Sequence, residues 1–277
     1  MSPARGVAAA VLALTSALAL GGCVLTSAAE GGSAVVPAAS TATDVSSSPS
    51  ASESSSESSS ESSSESSAGP GDGQAGYAVL ETDETTGAPI TYSPCRPVRY
   101  VTQLEGAPAG IEQLVDQAVA VIAADTGLTF TDEGTTDEVP DPDRGAQLAA
   151  YGDDAWAPVL IAWTDERAIP DLAGDTVGLA GSQAYTDADG RSAYVSGDVM
   201  LDGPDLSAIL EGPDGEAQVR AVVLHELGHL VGLDHVDDPT QLMFAEDNPD
   251  VTEPAAGDLA GLAAMGAGPC VEDLATP

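Results

Sequence analysis

An α+β (mixed α/β) fold, a twisted sheet with helices packed against it, is what this sequence predicts, and three observations predict it. Short β-branched runs are interleaved with stretches of helical apolar spacing. The order is strand, helix, several strands, then a second long helix. The patterning begins only near Tyr77, after a segment too polar to pack. Val98-Arg99-Tyr100-Val101-Thr102 reads as the first strand. Ile111, Leu114, Val115, Ala118, Val121 and Ile122 fall on one helical face, and Gly127 stops that helix. Leu128 to Thr131 and Val159 to Trp163 read as strands, and so does Ala193 to Leu201 after the Asp187-Ala188-Asp189-Gly190 turn. A long helix follows from Glu216 to Val231 with Asp214 as its N-cap, and a last one covers Gly257 to Met265. With 43% hydrophobic but only 4% aromatic residues, Ala, Val and Leu must fill most of the core.

The chain divides by composition into residues 1–22, 23–76 and 77–277. In the first part Arg5 is the only charge before an apolar run from Val7 to Leu20, the size of a secretory leader and shorter than a membrane span. The run ends in Leu20-Gly21-Gly22-Cys23, which resembles the lipobox of bacterial lipoproteins and implies Cys23 as the lipid-modified residue. The expected location is therefore export and attachment to the cell membrane by a lipid anchor, facing the extracellular side. The second part is mostly Ser, Ala, Gly, Pro and Glu, with Glu53, Glu57, Glu61 and Glu65 spaced four apart. That spacing does not make a helix, because Ser is a poor helix former and like charges at i,i+4 repel. The segment reads as a disordered tether.

A formal charge of -38, with no Lys anywhere, excludes the basic face a nucleic-acid binder needs and any charge-driven contact with anionic lipid. Residues 77–277 alone hold 38 acidic side chains against 6 Arg, a charge of -32, and a monomer is expected. With Cys23 assigned to lipid, Cys95 and Cys270 remain to form a disulfide in an oxidising compartment. The alternative is a free Cys95 thiolate directed at a metal.

The residues that carry chemistry are His225-Glu226-Leu227-Gly228-His229, placed in the long helix. Positions four apart share a helical face, so both imidazoles can reach one ion. Glu226 is offset from that face and can act on a water there without ligating. Gly232 suits a left-handed C-cap that turns the chain back and returns His235 as a third imidazole. Three protein ligands leave an open position, the arrangement of catalytic rather than structural zinc. These three His are the only ones in the chain.

The run His225 to His235 resembles the zinc-binding signature of the metzincins, H-E-x-x-H-x-x-G-x-x-H. Leu242-Met243-Phe244, a short gap further on, resembles the Met-turn of the matrixin branch, which implies that Met243 floors the site without binding metal. The resemblance implies a twisted, mostly parallel sheet with an antiparallel edge strand, an active-site helix and a C-terminal helix. It implies an endopeptidase that holds one zinc on His225, His229 and His235, uses Glu226 to activate the zinc-bound water, and takes an extended peptide substrate. Ala193 to Gly197 sits where that family has its substrate-binding edge strand. The chain also departs from the pattern. Phe244-Ala245-Glu246 replaces the Tyr-Pro common after the Met-turn, so the shape of the S1′ wall does not carry over. The absence of Tyr two residues after Met243 disfavours the astacin and serralysin branches, and Cys95 lies outside any cysteine-switch motif. A calcium site on Asp187 or Asp189 has no EF-hand spacing behind it. The residues by themselves leave two alternatives open: a non-catalytic zinc-containing surface lipoprotein that binds a partner, and a zinc hydrolase acting on cell-wall material.

Overall fold

The computed structural model describes residues 76–246, 248–271 and Leu274. The leader, Cys23 and the tether up to residue 75 lie outside the described residues.

Five strands make the main sheet. They are β2 (Val98–Gln103), β3 (Phe130–Thr135), β4 (Val159–Thr164), β5 (Gly178–Thr186) and β6 (Ser192–Asp202), in the spatial order β3-β2-β4-β6-β5. All neighbours run parallel except β5, which lies antiparallel to β6 along one edge. A small second sheet pairs β1 (Ala78–Val79) with β7 (Leu233–Asp234). The helices are α1 (Ile111–Thr126), α2 (Gly203–Leu210), α3 (Gly215–Val231) and α4 (Ala256–Gly266). This is the mixed α/β class, with a mostly parallel sheet and an antiparallel edge. Among the described residues no helix is long and apolar enough to cross a membrane.

The alternation along each strand sorts the core into two faces. Val98, Tyr100, Val159, Ile161, Trp163, Val199 and Leu201 point toward α1 and α3, where they join Ile111, Val115, Ile122, Val223 and Leu227 in the main cluster. Val101, Leu160, Ala162 and Met200 point the other way into a smaller cluster. Parallel strands need a crossover, and α1 supplies the one from β2 to β3. Gly127 closes α1 at φ 74°, its N–H bonded to the Ala123 carbonyl at 2.9 Å.

The edge strand differs from the expectation. Ala193 to Gly197 belongs to β6, an interior strand between β4 and β5, and the edge is Gly178–Thr186. The sequence Gly-Leu-Ala-Gly-Ser-Gln-Ala-Tyr-Thr has almost no β-branched residues, so its strand character comes from pairing with β6 rather than from local preference. The cap of α3 also differs. Asp214 precedes the helix but adopts φ 55° and makes no side-chain cap bond. The reason is the tight α2–α3 junction, where a Cβ on Gly215 would lie 2.8 Å from the Cα and the carbonyl of Leu210.

The segment from 136 to 158, which leads from β3 to β4, is held by Arg144, whose side chain is 1% exposed. It pairs with Glu138 at 2.6 Å and donates to the carbonyls of Gly197 (3.0 Å) and Pro158 (2.8 Å) and to Ser196 Oγ (3.2 Å). A buried cation is tolerated only when paired and hydrogen-bonded in this way. Cys95 and Cys270 are joined in a disulfide near the two ends of the described domain.

Candidate metal centre

Helix α3 brings His225 and His229 to one face, and Gly232 ends it. At φ 113° the Gly232 N–H caps the carbonyls of Gly228 and His229, and a Cβ there would press on Tyr194, Met265 and the Ile90 carbonyl. The chain then turns back through β7, and His235 arrives opposite the helix. The three Nε2 atoms lie 3.0, 3.1 and 3.2 Å apart.

Backbone carbonyls set the orientation of two of the rings. His225 Nδ1 lies 2.7 Å from the Leu242 carbonyl, and His229 Nδ1 lies 2.8 Å from that of Leu233. A carbonyl only accepts, so each Nδ1 carries the proton and each Nε2 presents a lone pair inward. Lone pairs converging at this distance repel unless a cation lies between them. Ligand atoms about 2.0–2.1 Å from a tetrahedral zinc stand about 3.3 Å apart, close to the spacing seen here. Among the described residues, His225, His229 and His235 form the group that could hold a metal ion. Burial, and next the neighbouring His225, push the His229 imidazole down to about 4, so the ring is neutral near pH 7 and able to ligate.

Glu226 is 5% exposed and lines the same cleft as the three imidazoles. Room for it comes from Gly178 at the start of β5, where a Cβ would stand 2.7 Å from Glu226 Cγ and Cδ. Met243 is 2% exposed and lies beneath the helix. It fits because residue 228 is Gly: a Cβ there would meet Met243 Sδ at 2.5 Å. The Met-turn is tied back to the ligand loop by the Val236 N–H, which donates to the Met243 carbonyl at 2.9 Å.

Sequence reasoning missed Asp258. This carboxylate, 2% exposed in the first turn of α4, accepts the N–H groups of Ala255 (2.7 Å), Leu242 (2.8 Å) and Met243 (3.1 Å). The carbonyl of the same Leu242 holds His225, so Asp258 is a positioning residue one step behind the imidazoles. No signal marked it out, since it is one Asp in a domain with 38 acidic residues. Ser182 on β5 was missed as well; it donates to the Leu230 carbonyl at 2.7 Å and ties the edge strand to α3.

Other expected residues lie away from this centre. Asp187 and Asp189 both pair with Arg191, at 2.7 and 3.4 Å, within a hairpin turn, and nothing there supports calcium. The disulfide takes up Cys95, which overturns the alternative of a free thiolate directed at a metal.

The cleft holds about 470 Å³. Its lining runs from Thr176 into the start of β5 at Ala180, and also includes Val222, Leu242, Phe244 and Val251. A cleft of this size with a few convergent polar groups is the usual form of a ligand site.

The imidazole triad, two rings on the long helix and one on the chain that turns back after it, thus sits in a mixed α/β domain with the donor set of a zinc site. Residues 156–264 match the Peptidase_M10 family model, described as matrixin, and this stretch is matrixin-like. A protein described as "Probable matrix metalloproteinase" in Invertebrate iridescent virus 3 is 37% identical over 73 residues. That stretch is 26% of this chain and 20% of the viral protein, so the match spans about a fifth of the relative's length. Among solved structures, archaemetzincin from Methanopyrus kandleri matches with a TM-score of 0.35 and 14% identity, over 60% of this chain and 86% of that one.

Proposed function

We propose that the protein is a zinc-dependent endopeptidase that hydrolyses peptide bonds of extracellular proteins or peptides. The observation that carries this reading is the convergence of three imidazole Nε2 atoms beside a buried carboxylate, Glu226, that lines the same open cleft. His225, His229 and His235 would hold the zinc, whose Lewis acidity polarises the scissile carbonyl and acidifies water. Glu226 takes the proton of the attacking water and passes it to the leaving amine. The β5 edge offers backbone groups to which an extended substrate can pair. A chelator tests the reading. Zinc-loaded full-length protein should cleave a quenched generic peptide, lose the activity with a strong chelator, and regain it on adding zinc. Cleavage that persists in metal-free protein would sink the proposal.

We further propose that Cys23 carries the lipid that keeps the domain at the cell membrane, on the strength of Leu20-Gly21-Gly22-Cys23 after an apolar leader. Radiolabelled fatty acid should appear on the wild-type protein in a bacterial host and be absent from Cys23→Ala. Equal label on both would refute the anchor.

A further inference from the structure

We propose that the cleft selects cationic peptides, with a basic side chain flanking the residue that enters the apolar recess of Val222, Leu242, Phe244 and Val251. This rests on the peptidase reading and names the substrate class of that same site.

The argument starts from where the charges are. Among the described residues, Asp175, Asp234 and Glu246 line the cleft besides Glu226. They come from three separate segments, the approach to β5, the end of β7, and the loop after the Met-turn. Asp175 and Glu246 are exposed, and Asp234 is half-buried with one oxygen accepting the His235 N–H at 2.8 Å. Among the described residues no Arg lines the cleft, and the sequence has no Lys.

All six Arg of residues 77–277 are engaged elsewhere. Arg144 is buried with Glu138 behind the sheet, and Arg167, Arg191 and Arg220 pair with Asp165, Asp187 and Glu253. Arg99 lies near Glu133, and Arg96 donates to the Leu274 carbonyl; both line a different cavity. With two positive charges from zinc on neutral imidazoles against the four carboxylates Asp175, Glu226, Asp234 and Glu246, the lining still keeps a net negative charge of about two. A cleft lined by one sign of charge focuses the field of the whole domain, which here is -32. Such a field attracts cationic peptides and repels acidic ones, so it discriminates by rejection as well as by attraction. By the same logic the chain's own Glu53 to Glu65 run is a poor substrate for it.

The test uses zinc-loaded full-length protein and two quenched peptides identical except for Arg or Glu on both sides of the apolar residue. At low salt kcat/KM should favour the Arg peptide by at least about tenfold, and the ratio should shrink severalfold at about 0.5 M salt as screening sets in. Binding of the same two peptides to zinc-loaded Glu226→Gln, followed by fluorescence anisotropy, should show the same order without turnover. The double substitution Asp175→Asn with Glu246→Gln should cut the Arg-to-Glu ratio at least about threefold. Equal kcat/KM and equal affinity for the two peptides would overturn the inference and leave the peptidase reading standing. A ratio unchanged in the double variant would overturn the role of the rim. If neither peptide is cleaved, the peptidase reading falls, while the anisotropy still decides whether the cleft prefers cations.

Discussion

Glu226→Gln should retain near-stoichiometric zinc and lose at least about a hundredfold in peptide cleavage, because a general base contributes roughly 10²–10⁴ in rate. The reasoning is geometric. Glu226 neighbours His225 in α3 but is not one of the converging donors, so the three imidazoles remain in place when it changes. Gln is isosteric and fits the space that Gly178 leaves. The amide cannot take a proton from water, and the proton path to the leaving amine is lost. His229→Ala, by contrast, removes a ligand and should abolish zinc binding itself. Zinc by atomic emission and turnover of a quenched peptide, both measured on one sample, separate the two variants. Wild-type turnover in Glu226→Gln would mean that the carboxylate is not the base.

A second large effect is expected at Asp258. Replacing it with Ala leaves the N–H groups of Ala255, Leu242 and Met243 without their acceptor in a buried place. Unsatisfied buried donors cost about 1–3 kcal/mol each, and relaxation recovers part of that, so a loss of about 3–5 kcal/mol is expected. The effect should also reach the metal. With Leu242 displaced, the His225 ring loses the carbonyl that fixes its tautomer, and changes behind a ligand typically cost about 10–100-fold in metal affinity. Urea unfolding of the chelated protein gives the first quantity. Competition with a chromophoric chelator, at a temperature where the variant is folded, gives the second. Wild-type zinc affinity in a folded Asp258→Ala would show that the Met-turn is held by its own packing and that Asp258 does not position the site.

The triad could be read from the sequence because helix geometry fixes what a spacing of four means, and a Gly just past the end of a helical pattern, as at residue 232, suits a left-handed cap. The same is true of Val98–Gln103 and Val159–Thr164, whose β-branched and apolar residues state their structure locally. What was not legible depends on distant partners. Gly178–Thr186 is a strand only because β6 lies beside it, and Asp214 fails as a side-chain cap only because α2 crowds the junction. Arg144 and Asp258 look like any other charged residues until the fold buries them against backbone from other segments. Gly228 likewise passes for an ordinary variable position within the motif, and its meaning comes from Met243 arriving underneath.

The bridge from Cys95 to Cys270 turns the enclosed chain into a covalent ring. For a protein proposed to cut peptides, that ring has a practical consequence. A single backbone break anywhere between the two cysteines yields two fragments that cannot diffuse apart. The severed ends stay at the effective concentration set by the folded body, so the nicked molecule can keep its shape. Such a molecule runs as one band without reductant and as two with it. Damage of this kind is thus contained, and the amount of intact polypeptide is not a measure of the amount of folded domain.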